Sequence, residues 1–539
     1  MKSSIIVILT TAACVCADGI QALRERQANW TVGQTVQTNS GPVSGHPASN
    51  DSDVSEYLGI PFAQPPIGDL RFAEPVNFTG SSPLNGSNFS LSCPIQVSNG
   101  TSGSTNLAAA NITQAGVEVL SLLSTPKGYS EDCLYLNVWT KPQTGEAKKA
   151  VLVWVYGGKF GSHTALLYRL SILGFPGGPV GTQNLGLLDQ RLAIEWVRDN
   201  IANFGGDPSR ITLFGQSAGA ASVDFYSYAW TSDPIAQGFI SESGTAYSWG
   251  LPHLATESEG YWFNVTASLG CGDASSNATE VLACMRTKDA QDILNIIPSA
   301  DSVQSNILGY FGPTVDGTVI FSNYSERTPA SVPLLIGNNN YEAGLFRTEF
   351  ALDNVTYPDL FWDDFNIQEF TCPAGIRANA SVAAKNPTWR YRYFGVFPDM
   401  AVSSEAGAWH ASEVPVLFDT VPEDPTPTTE EISIGNYMRG AWAAFAKDPA
   451  KGLTTYGEGW PMYDAGAETL YDGNKFGADF GAELDRERAF EYYACFEWEE
   501  GGGGGCSRGG DCEWDSCCAV YAMKLYPFEC NDCNGISTL

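Results

Sequence analysis

Short apolar segments alternate with longer amphipathic ones along much of this chain, and this alternation limits the fold more than any other feature. The apolar segments have the length and the β-branched and aromatic content of strands: KAVLVWVYGG, RITLFG, QGFISESG, VPLLIGNN and TWRYRYFG. Stretches with helical periodicity, such as LGLLDQRLAIEWVRDNIANFGG, lie between them. Strands alternating with helices predict an α/β fold with a doubly wound, mostly parallel sheet and helices on both faces.

Charge and length narrow the class of protein further. The 539 residues are enough for one large α/β domain or several smaller ones. Only 29 Lys and Arg stand against 60 Asp and Glu, which gives a formal net charge of −31. Such a surface repels nucleic acid and anionic membranes, so a nucleic-acid partner is not expected. No apolar run reaches the length of a transmembrane helix.

The first residues have the pattern of a secretory signal peptide. Lys2 precedes an apolar stretch, and small residues precede Asp18, which predicts cleavage after residues 1–17. A buried N-terminal strand is the alternative interpretation. Removal of Cys14 and Cys16 with the signal leaves an even twelve cysteines, and Asn-x-Ser/Thr acceptors for N-glycosylation are frequent. The sequence therefore predicts a secreted glycoprotein with disulfides rather than a zinc protein.

The composition changes sharply near the C-terminus. Residues 501–505 are five consecutive glycines, typical of a flexible linker, so we expect one domain over residues 18–500. A tail of residues 506–539 follows, with six cysteines whose order resembles a cystine-knot miniprotein. Six cysteines allow about fifteen pairings, so the connectivity stays open. Metal binding by the tail and a misassigned coding segment are the alternatives.

One short pattern carries candidate chemistry: Gly215-Gln216-Ser217-Ala218-Gly219. A lone G-x-S-x-G is weak in a chain so rich in glycine and serine, and an ordinary loop is the plain alternative. Its flanks are more informative, because a strand-like RITLFG precedes it and AGAASVDFYSYAW can form a helix after it. A strand, a tight turn and a helix place a serine hydroxyl above the sheet, where it can act as a nucleophile.

A nucleophilic serine needs a base, most often histidine, and this chain has only four histidines. In parallel α/β sheets that carry a nucleophilic serine on such a strand–turn–helix segment, the three residues follow one another along the chain in the order serine, acid, histidine. His46 and His163 precede Ser217 and are excluded. His253 follows so soon that little room is left for a strand that carries the acid. His410, in the loop after TWRYRYFGVF, is the remaining candidate.

The acid should lie in the loop after the penultimate strand along the chain. Glu342 lies directly after VPLLIGNN in a polar loop, whereas its competitors Asp301, Asp316 and Glu326 follow no comparable segment. Taken alone, Glu342 could be a solvated loop carboxylate and His410 a packed histidine. Their joint order on these loops favours a site.

Five segments then carry a resemblance, in order along the chain: YLGIPFAQPPIGDLRF, EDCLYLNVW, FGGDPSRITLFGQSAGA, GNNNYEAGLF and GAWHASEVPVLF. The chain resembles the type B carboxylesterase/lipase family, the cholinesterase-like α/β-hydrolases, and especially its secreted fungal branch, over roughly residues 31–500. The resemblance implies Ser217 as nucleophile, Glu342 as acid and His410 as base. It implies no metal and no organic cofactor, and a small-molecule or lipid ester as substrate.

The resemblance also implies an oxyanion hole made by the backbone N–H groups of Gly158, Lys159 and Ala218. Lys159 departs from the small residue that the family has there. Gln216 departs from the usual glutamate, which should weaken any preference for cationic substrates.

Three disulfides are implied by the same resemblance. The pairs are Cys93 with Cys133, Cys271 with Cys284, and Cys372 with Cys495.

The function that follows is a carboxylesterase-type serine hydrolase. A lipase and a non-catalytic extracellular binding protein on the same fold are the alternatives. A further hypothesis concerns the short stretch 161–167 after VLVWVYGGKF, where the family has a longer segment with an additional strand. A parallel crossover needs about a dozen residues or more. We therefore expect a stub of a strand at ALLYRL, poor folding and little hydrolysis in this shortened form.

Overall fold

The computed structural model describes residues 30–49, 52–96, 110–122, 128–141, 148–158, 160, 168–298, 309–464 and 536–538. The predicted signal peptide, the glycine linker and nearly all of the cysteine-rich tail lie outside these residues. So do His163, Lys159, Asp301 and Cys495. The proposed division of the chain into domains therefore stays a prediction.

A nine-stranded sheet forms the centre of the described structure, in the order β11-β10-β9-β8-β7-β12-β6-β4-β3. The five strands from β7 to β11 run parallel to one another, and β6, β4 and β3 pair antiparallel at the other end. A small second sheet has the order β1-β2-β5. The strands are β1 Val36–Thr38, β2 Gly41–Ser44, β3 His46–Pro47, β4 Ser55–Pro61, β5 Leu84–Asn85, β6 Tyr135–Thr140, β7 Lys149–Val155, β8 Gly206–Gln216, β9 Gly238–Glu242, β10 Leu334–Asn339, β11 Thr388–Tyr393 and β12 Ile536–Thr538.

Helices connect the parallel strands. They are α1 Gln114–Leu122, α2 Ser171–Gly174, α3 Leu185–Asn200, α4 Ala218–Ala229, α5 Ala255–Ser268, α6 Ala278–Arg286, α7 Ala290–Asn295, α8 Ala343–Leu352, α9 Asp359–Asn366, α10 Cys372–Ala383, α11 Glu413–Phe418 and α12 Thr429–Lys447. A π-helical turn, Ile367–Thr371, joins α9 to α10, and short 3₁₀ turns occur at Gly68–Leu70, Ile201–Phe204 and Gly452–Thr455.

Both faces of the parallel sheet are covered by helices. Along β7, Val151 and Val153 pack into an apolar core that also contains residues of α3, α4 and α10. The alternate residues Ala150 and Leu152 pack into a second core with residues of α12. Because successive side chains of a strand point to opposite faces, the sheet is buried on both sides. The predicted α/β-hydrolase fold, with its doubly wound and mostly parallel sheet, is confirmed.

Two of the three expected disulfides are formed. Cys93 is bonded to Cys133, and Cys271 is bonded to Cys284. Cys372 is also disulfide-bonded, while its expected partner lies outside the described residues. The bond from Cys93 joins the segment before α1 to the start of β6, and the other closes a loop between α5 and α6.

The position between β6 and β7 is taken by β12. Ser537 and Thr538 pair antiparallel with Thr140 and Trp139 of β6, and Ile536–Thr538 pair parallel with β7. The expected strand stub is not found in the part of it that is described, because residues 168–170 lie outside any strand and lead into α2. A segment distant in sequence thus joins the two halves of the sheet.

Candidate active site

The G-x-S-x-G segment forms a sharp turn between β8 and α4. Ser217 has φ 60° and ψ −128°, a strained conformation for a residue with a side chain. Its glycine neighbours are required by space: a Cβ on Gly219 would lie 2.0 Å from the carbonyl oxygen of Val155, and one on Gly215 would lie 2.4 Å from the same atom. The turn therefore packs directly against the end of β7, with no room for a side chain at these two glycines.

The loop after β10 carries Glu342, which is completely buried. One oxygen of its carboxylate, Oε1, accepts hydrogen bonds from the Ser243 hydroxyl at 2.6 Å and from the backbone N–H of Asn339. The other oxygen, Oε2, is directed at His410. Two fixed donors on Oε1 therefore orient the carboxylate so that Oε2 is available to the imidazole.

The loop after β11 carries His410, which is 4% exposed. Its Nδ1 lies 2.6 Å from Glu342 Oε2, and its Nε2 lies 2.7 Å from Ser217 Oγ. Its backbone N–H donates to the carbonyl oxygen of Glu342 at 3.3 Å, which ties the two loops together. The three residues that were predicted from chain order thus form one continuous hydrogen-bonded series at the carboxyl end of the sheet.

Aromatic side chains surround the imidazole. The ring centroids of Phe346 and Phe370 each lie 5.1 Å from that of His410, and the indole of Trp249 lies 6.4 Å away, nearly perpendicular to the imidazole. These walls restrict the motion of the imidazole and exclude water from one side of it.

The turn after β7 crosses over the serine. A Cβ on Gly157 would lie 2.8 Å from Ser217 Cβ and 3.4 Å from the backbone nitrogen of Ala218, so this backbone touches the serine turn. Gly158 follows with φ 102°, in the region that favours glycine. Ala218 begins α4, where the first backbone N–H groups of a helix have no intrahelical partner. Lys159, the third expected donor, lies outside the described residues.

The other candidate histidines and carboxylates within the described residues do not join this hydrogen-bonded series. His46 lies at the far edge of the sheet, where its Nε2 is 3.4 Å from Glu56 Oε2. Burial lowers the pKa of His253, which lies after α4 and β9, and its backbone pairs with the segment around Thr314. The Asp316 carboxylate accepts the backbone N–H groups of its own turn, and Glu326 is exposed.

Sequence reasoning missed several polar residues beside these three. Ser243 directly follows β9, the strand next to β8, so its proximity to the serine turn could have been inferred from the parallel order. For Gln216 the sequence indicated only an effect on substrate charge, and its contact with the base was missed: its Nε2 lies 3.3 Å from His410 Nε2. Burial raises the pKa of Glu242 to about 8 and the pKa of Glu413 well above its usual value. No sequence pattern marks these two glutamates, because their burial depends on the packing of α12 and α11.

Comparison with known proteins agrees with this arrangement. The model of the carboxylesterase family matches residues 32–167 and 164–366, which together make up more than half of the chain. The chain belongs to the carboxylesterase family. Its members have the α/β-hydrolase fold. With relatives named as esterase and lipase, this protein is an enzyme of the ester-hydrolase type.

Relatives with curated names support the same assignment. The chain is 33% identical to a chlorogenic acid esterase of Aspergillus niger over 517 residues, covering 87% of this chain and 95% of that protein. It is 31% identical to secreted lipase 5 of Gibberella zeae over 495 residues, covering 81% of this chain and 89% of the relative. It is 38% identical to mouse cholinesterase over 294 residues, covering 49% of this chain and 45% of the relative.

The family match is interrupted at a defined place. Its two segments meet at residues 164–167, inside the short stretch that follows β7. This is the point at which the sequence lacks the longer segment expected from the resemblance.

Among the residues with described structure, no helix is long and apolar enough to cross a bilayer.

Proposed function

We propose that this protein hydrolyses carboxylic esters through an acyl-enzyme intermediate formed on Ser217. The observation that carries the proposal is the hydrogen-bonded series Ser217 Oγ, His410 and Glu342, with separations of 2.7 and 2.6 Å. His410 takes the hydroxyl proton as Ser217 attacks the ester carbonyl, and returns it to the leaving alcohol. Glu342 holds the imidazole in the required tautomer and stabilises its protonated form. Water then releases the acid by the reverse sequence.

Backbone donors of the oxyanion hole complete the proposed site. Ala218 N–H lies at the N-terminus of α4, and Gly158 directly follows Gly157, whose backbone touches the serine turn. With Lys159, these groups would stabilise the negative charge that develops on the carbonyl oxygen. Loss of one such donor costs on the order of 10² to 10³ in rate. Since Lys159 would contribute its backbone, its large side chain is compatible with this role.

Covalent labelling tests the nucleophile. An organophosphate is expected to label Ser217 stoichiometrically, and Ser217→Ala should lose on the order of 10⁶ in kcat if the three residues act as a unit. Ser241→Ala is the control, because Ser241 is a buried serine of the neighbouring strand β9 whose hydroxyl has no hydrogen-bond partner among the described residues, whereas Ser217 is partly exposed. Label recovered on another serine would contradict the assignment.

The pH dependence of kcat/KM tests the base. Protonated His410 cannot accept the serine proton, so kcat/KM should fall as the solution is acidified. His410→Gln should abolish most activity, whereas the control His253→Gln should keep the acid limb of the wild-type profile. Substantial activity with an unchanged acid limb in His410→Gln would exclude this residue as the base.

Substrate class separates the esterase from its alternatives. Relatives are named for chlorogenic acid and for lipase activity. The substrates to be tested are therefore chlorogenic acid, tributyrin and p-nitrophenyl acetate. Turnover of soluble esters without activation by an oil–water interface favours an esterase over a lipase. The short connection after β7 favours a second candidate, an inactive binding protein on the same fold. No turnover of any ester by folded protein would support that candidate.

We also propose that the protein is secreted and glycosylated. Residues 1–17 have the pattern of a signal peptide, two disulfides are formed, and a relative is named as secreted. The acceptor asparagines within the described residues are exposed or half-exposed: Asn77, Asn85, Asn88, Asn111, Asn264, Asn277, Asn323, Asn354 and Asn379. Expression with the native N-terminus should place the protein in the medium, and endoglycosidase treatment should lower its apparent mass. Retention inside the cell would contradict secretion.

A further inference from the structure

Trp249 forms part of the wall beside the proposed nucleophile. Its indole meets the imidazole of His410 edge to face and packs against Phe370 with a centroid separation of 5.6 Å. At Gly244 a Cβ would lie 3.1 Å from Trp249 Cη2 and 2.3 Å from the carbonyl oxygen of Ser217. The tip of the indole therefore lies close to the backbone of the serine turn. A movement of Trp249 would change the space available to a substrate.

The backbone of Trp249 adopts a conformation that needs support. Its φ is +61°, in the left-handed region that bulky side chains rarely occupy, and Gly250 follows with φ +65°. A residue held in such a conformation persists only when surrounding contacts fix it. The relevant contact comes from another element of the fold.

Glu369 supplies that contact from the π-helical turn Ile367–Thr371. Its Oε2 accepts the backbone N–H of Trp249 at 2.5 Å. Phe370, the next residue of the turn, packs against both the indole and the imidazole. Burial raises the pKa of Glu369, and the Trp249 N–H bond opposes that rise. Hydrogen bonds to an ionised acceptor are the stronger kind, and π-helical turns are frequent at functional sites.

We propose that Glu369 is a positioning residue that fixes Trp249 in its left-handed conformation and thereby sets the size of the ester group that the site accepts. The inference rests on the proposed function, since the wall is next to Ser217 and His410. Glu369 itself forms no hydrogen bond with Ser217 or His410. Its effect on substrate choice passes through the indole.

A double-mutant cycle tests this role. The readout is the ratio of kcat/KM for p-nitrophenyl benzoate to that for p-nitrophenyl acetate, two esters with the same leaving group. Glu369→Ala is expected to raise the ratio about tenfold, equal to about 1.4 kcal/mol, because a released indole admits the larger acyl group. Glu369→Gln should stay within about threefold of wild type, since its amide oxygen can still accept the Trp249 N–H. In a Trp249→Ala background, Glu369→Ala should have no further effect.

The outcomes separate the positioning role from the proposed function. An unchanged ratio in Glu369→Ala, or the same change with and without Trp249, would overturn the positioning role. Should Glu369→Ala fail to fold, Glu369→Asp withdraws the carboxylate from the Trp249 N–H and should change the ratio in the same direction. Persistence of turnover in Ser217→Ala would instead overturn the proposed function.

Discussion

The hydroxyl of Ser243 offers a sharp test of how Glu342, the proposed acid, is held. It donates to Glu342 Oε1 at 2.6 Å, and the backbone N–H of Asn339 donates to the same oxygen. Ser243→Ala removes one of these two donors from a carboxylate that is completely buried. A hydrogen bond to a charged group contributes about 1.5–3 kcal/mol. If that amount is lost from the orientation of Glu342 towards the imidazole, kcat/KM falls by about 10-fold to 100-fold.

The measurement is steady-state hydrolysis of p-nitrophenyl acetate, normalised to active sites titrated with an organophosphate. Ser241→Ala is again the matched control, because it removes a buried hydroxyl two residues away that touches no catalytic group. Both positions keep a Cβ, so the positive φ of Ser243 costs the variant little more than the wild type. If Ser243→Ala and Ser241→Ala have the same kcat/KM within about twofold, the second donor to Glu342 is irrelevant to catalysis.

Three further predictions concern stability. Burial raises the pKa of Glu242 to about 8 from an ordinary value of 4.5, so the folded state binds its proton more tightly than the unfolded state does. This tighter proton binding stabilises the folded state fully below pH 4.5, and the stabilisation is lost as the pH rises towards 8. Tm should therefore fall over that pH range. Glu242→Gln, which has no proton to lose there, should make the fall smaller. Gly219→Ala should yield insoluble or inactive protein, because its Cβ would lie 2.0 Å from Val155 O; soluble, active enzyme would refute this. Ser537→Pro removes an N–H from β12 and should lower Tm by roughly 1–4 °C relative to Ser537→Ala; equal Tm values would show that β12 adds no stability.

The sequence predicted the parallel part of the sheet well, for a physical reason. Strands buried on both faces are mostly apolar, and five such runs became β7 to β11, although β11 also contains Arg390 and Arg392. Chain order then placed Ser217, Glu342 and His410 on loops at one edge, where the structure brings them together. The short strands β3 and β5 are only two residues long and carry no comparable signal.

Other features depend on contacts that no local pattern encodes. Glu369 reaches Trp249 across 120 residues of sequence, and the π-helical turn that presents it has no sequence signature. The same is true of Glu242, whose partner is the indole of Trp442 on α12. The pairing of β12 with β6 and β7 was not foreseen, because a glycine-rich segment precedes the tail and suggested independence.

The position of β12 also has a consequence in time. The other strands of the central sheet have all been synthesised once Tyr393 is in the chain, but β12 follows about 140 residues later. At roughly 5–20 residues per second, that interval is about 7–30 s. During it, β6 and β7 would flank an open gap with unpaired backbone groups, a hazard for pairing with other nascent chains. Expression yield should therefore depend on translation speed and chaperone supply over residues 394–538, far from any residue of the proposed active site except His410.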